Sequence, residues 1–214
     1  MLSEPAVIGR DRRGRRVAGR TALEYGTDLV WPMSDGVVHD FYRCVRLLRM
    51  LVAMAGRPYA DVSPVLVGVP ATATLREKNL MVTAVRRATG SHVTAVDEPL
   101  AAALACRLSP RDGDVVAVDI GHGRTEVARI TEQTVTAAER VDIANTVDQV
   151  PAIATAVRRI GVSAEGHRRL LLTGGGATLP GVAARLAAST RRAVTVPVQP
   201  RLATVTGLRL LLTG

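Results

Sequence analysis

Short apolar runs of strand type alternate with helix-period segments along nearly the whole chain, and this alternation constrains the fold most strongly. Val65-Leu66-Val67-Gly68-Val69 is a buried-strand pattern stopped by Pro70. Val93 to Val96, Val115 to Ile120, Thr125 to Thr131, Leu170 to Leu172 and Ala193 to Val196 read the same way, and residues 133–143 extend the central pair into a meander. Val38, Phe41, Val45, Leu48 and Val52 recur at helical spacing. They predict a helix that begins at Ser34-Asp35-Gly36 and closes at Gly56. Thr74 and Glu77 form a capping box for a helix running to Ala88 and ended by Gly90. The small-residue stretch after Glu98-Pro99, then 147–160, 182–189 and 203–212, complete the helices. Asp112-Gly113 reads as a turn. At the N-terminal end, PAVIG and RVA flank Asp11-Arg12-Arg13-Gly14-Arg15, which predicts a β-hairpin with a basic tip. Strands alternating with helices predict an α/β architecture with a mixed sheet.

Composition narrows the classes. The 214 residues make one large domain or two small ones. At 47% hydrophobic and 22% charged, the chain can bury a core and is not expected to be disordered. Its one Trp, one Phe and three Tyr leave Ala, Val and Leu to fill that core. No apolar run is long enough to span a bilayer as a helix. The first residues lack a signal-peptide pattern. Cys44 and Cys106 suit neither a disulfide framework nor a metal site, so a reducing, cytosolic home is expected. The net charge is +9, and Lys78 is the only Lys among 28 basic residues. Such a balance points to an anionic partner or to Arg-rich usage from a GC-rich genome. Only Arg10 to Arg20 form a dense cluster. Nucleic acid is disfavoured: few aromatics are available for base stacking, and neither a helix-turn-helix nor a zinc signature occurs.

Three strand ends carry residues suited to phosphate chemistry. In VAVDIGHGRTEV (116–127), Asp119 ends a strand and a two-glycine hairpin follows. Gly121 and Gly123 could let backbone N–H groups approach a phosphate beside Thr125, with Asp119 holding a water or Mg²⁺. The same pattern also suits a plain tight hairpin. In LLLTGGGATLPGV (170–182), a strand leads through Gly174, Gly175 and Gly176 to a helix, as for a nucleotide at a helix N-terminus. A close-packed strand-to-helix turn gives the same pattern. In AVDEPLAAALA (95–105), Glu98 could orient a water for attack on a phosphate, or simply favour the helix dipole.

Taken in order, these three motifs resemble the actin-like ATPase superfamily. WPMSDGVVHDF (31–41), the whole of residues 65–104, LLLTGGGATLPGV and VPVQPRLATVTGLRLLL (196–212) are similar to segments of MreB/Mbl-like bacterial actin homologues. The resemblance implies an actin-like, ribonuclease H-like fold of two reduced subdomain units with mixed sheets flanked by helices. It divides the chain into an N-terminal subdomain, 1–108, and a C-terminal one, 109–214. It implies a role in bacterial cell shape, in the cytoplasm at the inner face of the membrane, with a full-length relative or other morphogenesis proteins as partners. It assigns Glu98 and Asp119 as vestigial catalytic candidates. Gly121, Gly123, Thr125 and Gly174 to Gly176 become the residues toward ATP, with Asp119 toward Mg²⁺.

The departures from the family are as informative. The family's opening Asp-x-Gly-Thr hairpin is expected to be missing, because LSEPAVI resembles the strand after it. The chain passes from VDIANTVDQVPAIATAVRRIG to GHRRLLLTGGG almost directly, so one subdomain is expected to be deleted. Asn145 stands where the family has a Gly. His122 and Arg124 replace small residues of the second phosphate loop. His122 could act as an acid or base but is expected to block close phosphate approach, and Arg124 could present a cation to phosphate but, as a lone hairpin Arg, is expected to face solvent. Weak or absent ATP binding without turnover follows, since phosphoryl transfer depends on positioning and charge. The alternatives are an ATPase or phosphotransferase completed by a partner chain, and a basic nucleic-acid-binding module. The hairpin residues Arg10, Arg12, Arg13, Arg15 and Arg16 are candidates for contact with anionic lipid.

Overall fold

A computed structural model describes residues 2–56, 64–106, 114–142, 148–161 and 169–213. By compactness the chain forms two units. The first comprises Met1–Val67 with Ala73–Ala95, the second Gly68–Thr72 with Val96–Gly214.

The first unit opens with a three-stranded antiparallel sheet. Strand β1 (Ile8–Arg10) lies between β2 (Arg16–Ala18) and β3 (Thr27–Val30). The β1–β2 hairpin pairs Ile8 with Ala18 and Arg10 with Arg16, so the basic tip stands where its turn chemistry places it. Between β2 and β3 runs a short helix, α1 (Gly19–Tyr25), which the sequence pattern does not announce. Its first turn is served from a distance: Glu4 accepts from the Arg20 backbone N–H at 2.7 Å.

The predicted helix start at Ser34-Asp35-Gly36 is corrected. Those residues turn a small hairpin between β4 (Met33–Ser34) and β5 (Val37–Val38). Asp35 and Gly36 have φ of +51° and +75°, as an Asp-Gly hairpin turn requires. Helix α2 (Phe41–Met54) starts later, capped by Asp40, whose carboxylate accepts from the Arg43 N–H at 3.0 Å. Leu47 of α2 packs with Ile8 and Ala18 of the sheet, bordered by Val30 and Met50. Helix α3 (Leu75–Thr89) carries the expected Thr74–Glu77 capping box. Strands β6 (Val65–Val69) and β7 (Val93–Asp97) pair with each other; each begins in the first unit and ends in the second.

The second unit is built on a five-stranded mixed sheet. Strands β8 (Val115–Ile120), β9 (Thr125–Thr131) and β10 (Thr134–Val141) form the expected meander. Strand β11 (Arg169–Thr173) pairs parallel to β8, and β12 (Ala193–Thr195) parallel to β11. The order is β10-β9-β8-β11-β12. Both faces are covered, so the central strands are apolar almost throughout rather than alternating. On one face, Val116, Val118, Ile120, Leu170 and Leu172 pack against α5 (Val150–Ile160) and α6 (Val182–Thr190). On the other, Val115, Ala117, Ile130 and Leu171 meet α4 (Glu98–Ala105) and Ala203 of α7 (Ala203–Thr213).

The division after residue 108 is not where compactness divides the chain. Helix α4 packs with α7 and the central sheet, which puts 96–106 in the second unit. Residue 108, the Asp112-Gly113 turn and Asn145 lie outside the described residues. No helix among the described residues is long and apolar enough to cross a membrane. Cys44 and Cys106 are both free.

Helices α4 and α7 approach so closely that a Cβ added to Gly207 would collide with the Ala101 carbonyl. Gly207→Ala should therefore destabilise the protein by about 1–3 kcal/mol through overpacking. That corresponds to a fall in Tm of roughly 3–10 °C for a chain of this size, measurable by thermal unfolding followed by circular dichroism.

Candidate functional site

A cluster of carboxylates gathers at one end of the second unit's sheet, on the face covered by α4 and α7. Strand register explains the gathering. Asp119 on β8 lies directly opposite Glu126 on β9 and beside Thr173 on β11. All three alternate with residues of the opposite core, so their side chains share a face. Glu98, the first residue of α4, completes the group.

Each carboxylate has a distinct partner set. Asp119 Oδ1 accepts from Thr173 Oγ1 at 3.1 Å. Glu126 is buried and accepts from the backbone N–H groups of Ala71 and Thr72, both at 3.1 Å. The Thr72 hydroxyl also donates to it. These contacts hold the segment that leaves β6 against the sheet. A Cβ on Gly68 of the same segment would press on Glu98 Cγ at 3.2 Å, so this backbone passes closely over Glu98. Burial pushes the Glu98 carboxyl up to about 7, and the nearby charges of Asp119 and Glu126 add to the rise, while Arg124 opposes it. Burial likewise raises Asp119, against the Thr173 hydrogen bond and with Glu126 adding to the rise.

Arg124 overturns the expectation that it faces solvent. Its side chain is 13% exposed, and Nη1 lies 3.8 Å from Glu126 Oε1. The guanidinium lies beside the buried Glu126, acts through space on the half-buried Glu98, and is charge-paired more than hydrogen-bonded: among the described residues, Nε and Nη1 are buried without an acceptor. Sequence reasoning missed Glu126 as well. The available signal was an acid inside a strand whose Thr125, Val127 and Ala128 neighbours are all buried, where a solvated Glu has no room.

The remaining candidates divide. Thr125 pairs with Ile120, whose side chain belongs to the opposite core, so it does not join Asp119. It is buried, and among the described residues its hydroxyl has no partner. Gly121, His122 and Gly123 are exposed in the hairpin turn, closed by the Gly121 N–H donating to Arg124 O at 2.8 Å. Gly174 and Gly176 serve packing. A Cβ on Gly174 would strike Asp119 Oδ1 and Ile120 O, and one on Gly176 would strike the Ile120 side chain. Gly174 also has φ +83°. Gly175 has space around it. The glycines do not lead directly into a helix N-terminus, as expected. A short 3₁₀ turn (Gly175–Thr178) follows them, and α6 begins only at Val182. Arg10, Arg12, Arg13, Arg15 and Arg16 belong to the first unit. There Asp11 accepts from the Arg13 and Arg15 N–H groups and ion-pairs with Arg15 at 2.8 Å, tying the hairpin tip to itself.

The donor set fits a divalent cation poorly. Among the described residues, no group of three or more His, Cys, Asp or Glu is placed to hold a metal ion. Glu126 is engaged by the Ala71–Thr72 backbone, Asp119 by Thr173, and Arg124 already brings a positive charge to the cluster.

Solved structures share this fold. The MamK double helical filament aligns with a TM-score of 0.76 over 98% of this chain and 91% of that one, at 19% identity. MreB5 of Spiroplasma citri bound to AMPPNP gives 0.77 over 97% and 88%, at 13% identity. The protein has the actin-like fold. Within that class, the family model for MreB/Mbl protein matches residues 5–160, and the chain belongs to the MreB/Mbl family. The cell shape-determining protein MreB of Pasteurella multocida (strain Pm70) is 35% identical over 134 residues, covering 61% of this chain and 37% of that protein. The Escherichia coli (strain K12) protein of the same name is 33% identical over 149 residues, covering 61% and 42%. The chain thus spans about two-fifths of the length of these curated relatives.

Two predictions follow the geometry. An acid whose folded pKa is raised loses stability as pH climbs from its ordinary value of 4.5 toward about 7, then stays flat. Glu98→Gln should therefore match the parent near pH 4 and exceed it at pH 8 by on the order of 2–3 kcal/mol in urea unfolding. Gly174→Ala should cost at least about 3 kcal/mol, from strain and collision together, whereas Gly175→Ala should change stability by less than about 1 kcal/mol. Equal costs at the two glycines would contradict the packing account.

Proposed function

We propose that the chain acts in bacterial cell morphogenesis as a reduced MreB-like protein, through protein–protein contacts, with weak or no ATP binding and no ATP turnover. Supporting this reading is the buried Arg124 beside Glu126 and Glu98. A catalytic site for phosphoryl transfer needs a positioned water and cationic clamps aimed at phosphate. Here the cation is turned toward the protein's own carboxylates. Glu98 and Asp119 stay as vestiges of a catalytic pair, and Gly174 to Gly176 as the vestige of a nucleotide wall. When bound, Mg-ATP would meet three acids facing one Arg, which disfavours a polyphosphate.

The proposed partners are a full-length relative or other morphogenesis proteins, reached in the cytoplasm at the inner membrane face. The exposed arginines of the first hairpin would meet anionic lipid there. The two units are proposed as the remnants of a larger actin-like protein, without the capacity to form long filaments alone.

Calorimetry with Mg-ATP tests the central claim. The expected result is affinity no tighter than millimolar, worth about 4 kcal/mol or less, and no phosphate release. Low-micromolar affinity with steady release would overturn it and favour an ATPase completed by a partner chain.

A further inference from the structure

We propose that a basic cleft in the first unit binds a phosphate group, either of a lipid headgroup or of a soluble phosphoester. The cleft lies between the β1–β2–β3 sheet and α2, with a volume of about 170 Å³. Ile8, Val30 and Met50 supply apolar lining, while Arg10, Arg16, Arg43 and Arg46 supply charge.

The arrangement of those arginines works against the empty fold. Arg10 and Arg16 are direct cross-strand partners, on the face that Ile8 and Ala18 turn toward α2. Like charges at such positions destabilise a sheet. Arg43 and Arg46 are three residues apart in the first turns of α2, neighbours on one helix face, where the helix dipole is already positive. Little offsets this. Arg43 ion-pairs with Asp40 at 2.7 Å, and Arg10 donates to the Gly14 carbonyl at 2.9 Å. Arg46 acts on Asp40 only through space, and among the described residues neither Arg46 nor Arg16 has a hydrogen bond or ion pair. Asp28 is the one carboxylate lining the cleft among the described residues.

Four arginines line this space, and a planar guanidinium fork can give two N–H bonds to phosphate oxygens, which suits a tetrahedral oxyanion. A space of about 170 Å³ is enough for a phosphate and the first carbons of its ester. The apolar lining suits those carbons. The inference shares Arg10 and Arg16 with the membrane reading but does not depend on a membrane. Arg12 and Arg13 do not line the cleft, so they keep only the through-space attraction to an anionic surface and take no part in holding a single phosphate group.

The test uses the full chain. Inorganic phosphate and glycerol phosphate are titrated by calorimetry, and sedimentation is measured with phosphatidylglycerol and with phosphatidylcholine vesicles. The parent should show saturable phosphoester binding, weakened at least tenfold in Arg16→Gln/Arg46→Gln. Those two side chains lack partners, so the variant should fold. Asp28→Asn should tighten binding several-fold; Asp28 sits at φ +52°, a conformation Asn tolerates. Arg12→Gln/Arg13→Gln should leave phosphoester affinity unchanged. Phosphatidylglycerol binding that is lost in the Arg16/Arg46 variant identifies a headgroup as the source. Soluble binding without vesicle binding keeps the cleft and removes the membrane reading. The proposal is overturned if no arm shows binding, or if the tip variant, rather than the cleft variant, abolishes it.

Discussion

The second unit depends on one buried carboxylate. Glu126 accepts from two backbone N–H groups and a hydroxyl of the Ala71–Thr72 segment, and so fixes a stretch of chain 54 residues away in sequence onto the central sheet. Its burial is tolerable only because those donors satisfy both oxygens. Once it is in place, its neighbours are constrained. Glu98 is covered by the segment that Glu126 holds, and Asp119 faces Glu126 across the ladder. Both are raised, burial being the leading cause and Glu126 adding to it. Arg124 is drawn in to offset the accumulated charge. A solvated Arg at the same hairpin would leave three acids in one partly dry space.

Arg124 is also where nucleotide chemistry and structural stability diverge. A guanidinium in a carboxylate cluster does part of the charge neutralisation that a bound cation would do. It does so at the cost of two buried N–H groups without acceptors, each worth about 1–3 kcal/mol when left unmade. That cost is sustainable because removing the positive charge would be worse for three neighbouring acids. The glycine loop shows the same shift of emphasis. Gly174 and Gly176 are required by contact with Asp119 and Ile120, whether or not a nucleotide is ever present.

Most of the fold was legible where the signal is local. The Thr74–Glu77 capping box, the β8–β9–β10 meander and the basic hairpin all rest on residues adjacent in sequence. Ser34-Asp35-Gly36 was misread because Asp-Gly marks both helix starts and hairpin turns, and only the positive φ of both residues separates them. Helix α1 was invisible because its first turn is served by Glu4, sixteen residues back. The site was legible as a set of strand ends but not as a cluster. Asp119, Glu98 and the glycines carry motif signals. Glu126, Thr72 and Thr173 become partners only through strand register, and Arg124 reads as an exposed loop residue until the acids around it are assembled. Thr125 shows the converse: motif position suggests the site, while the alternation of β9 turns it to the opposite core.

Arginine abundance has two components that placement separates. A GC-rich bias raises the number of arginines but is indifferent to their neighbours, so it should scatter them over exposed positions. Much of the chain fits that description. The cleft of the first unit does not: two arginines are cross-strand partners in a ladder, and two more from one helix face line the same space. Each juxtaposition is unfavourable alone, and together they act in the same direction. The second unit handles charge in the opposite way, bringing Arg124 to Glu126 and Glu98. Composition therefore accounts for how many arginines the chain has. The repulsive grouping in the first unit needs a separate cause, and an anion from outside the chain supplies one.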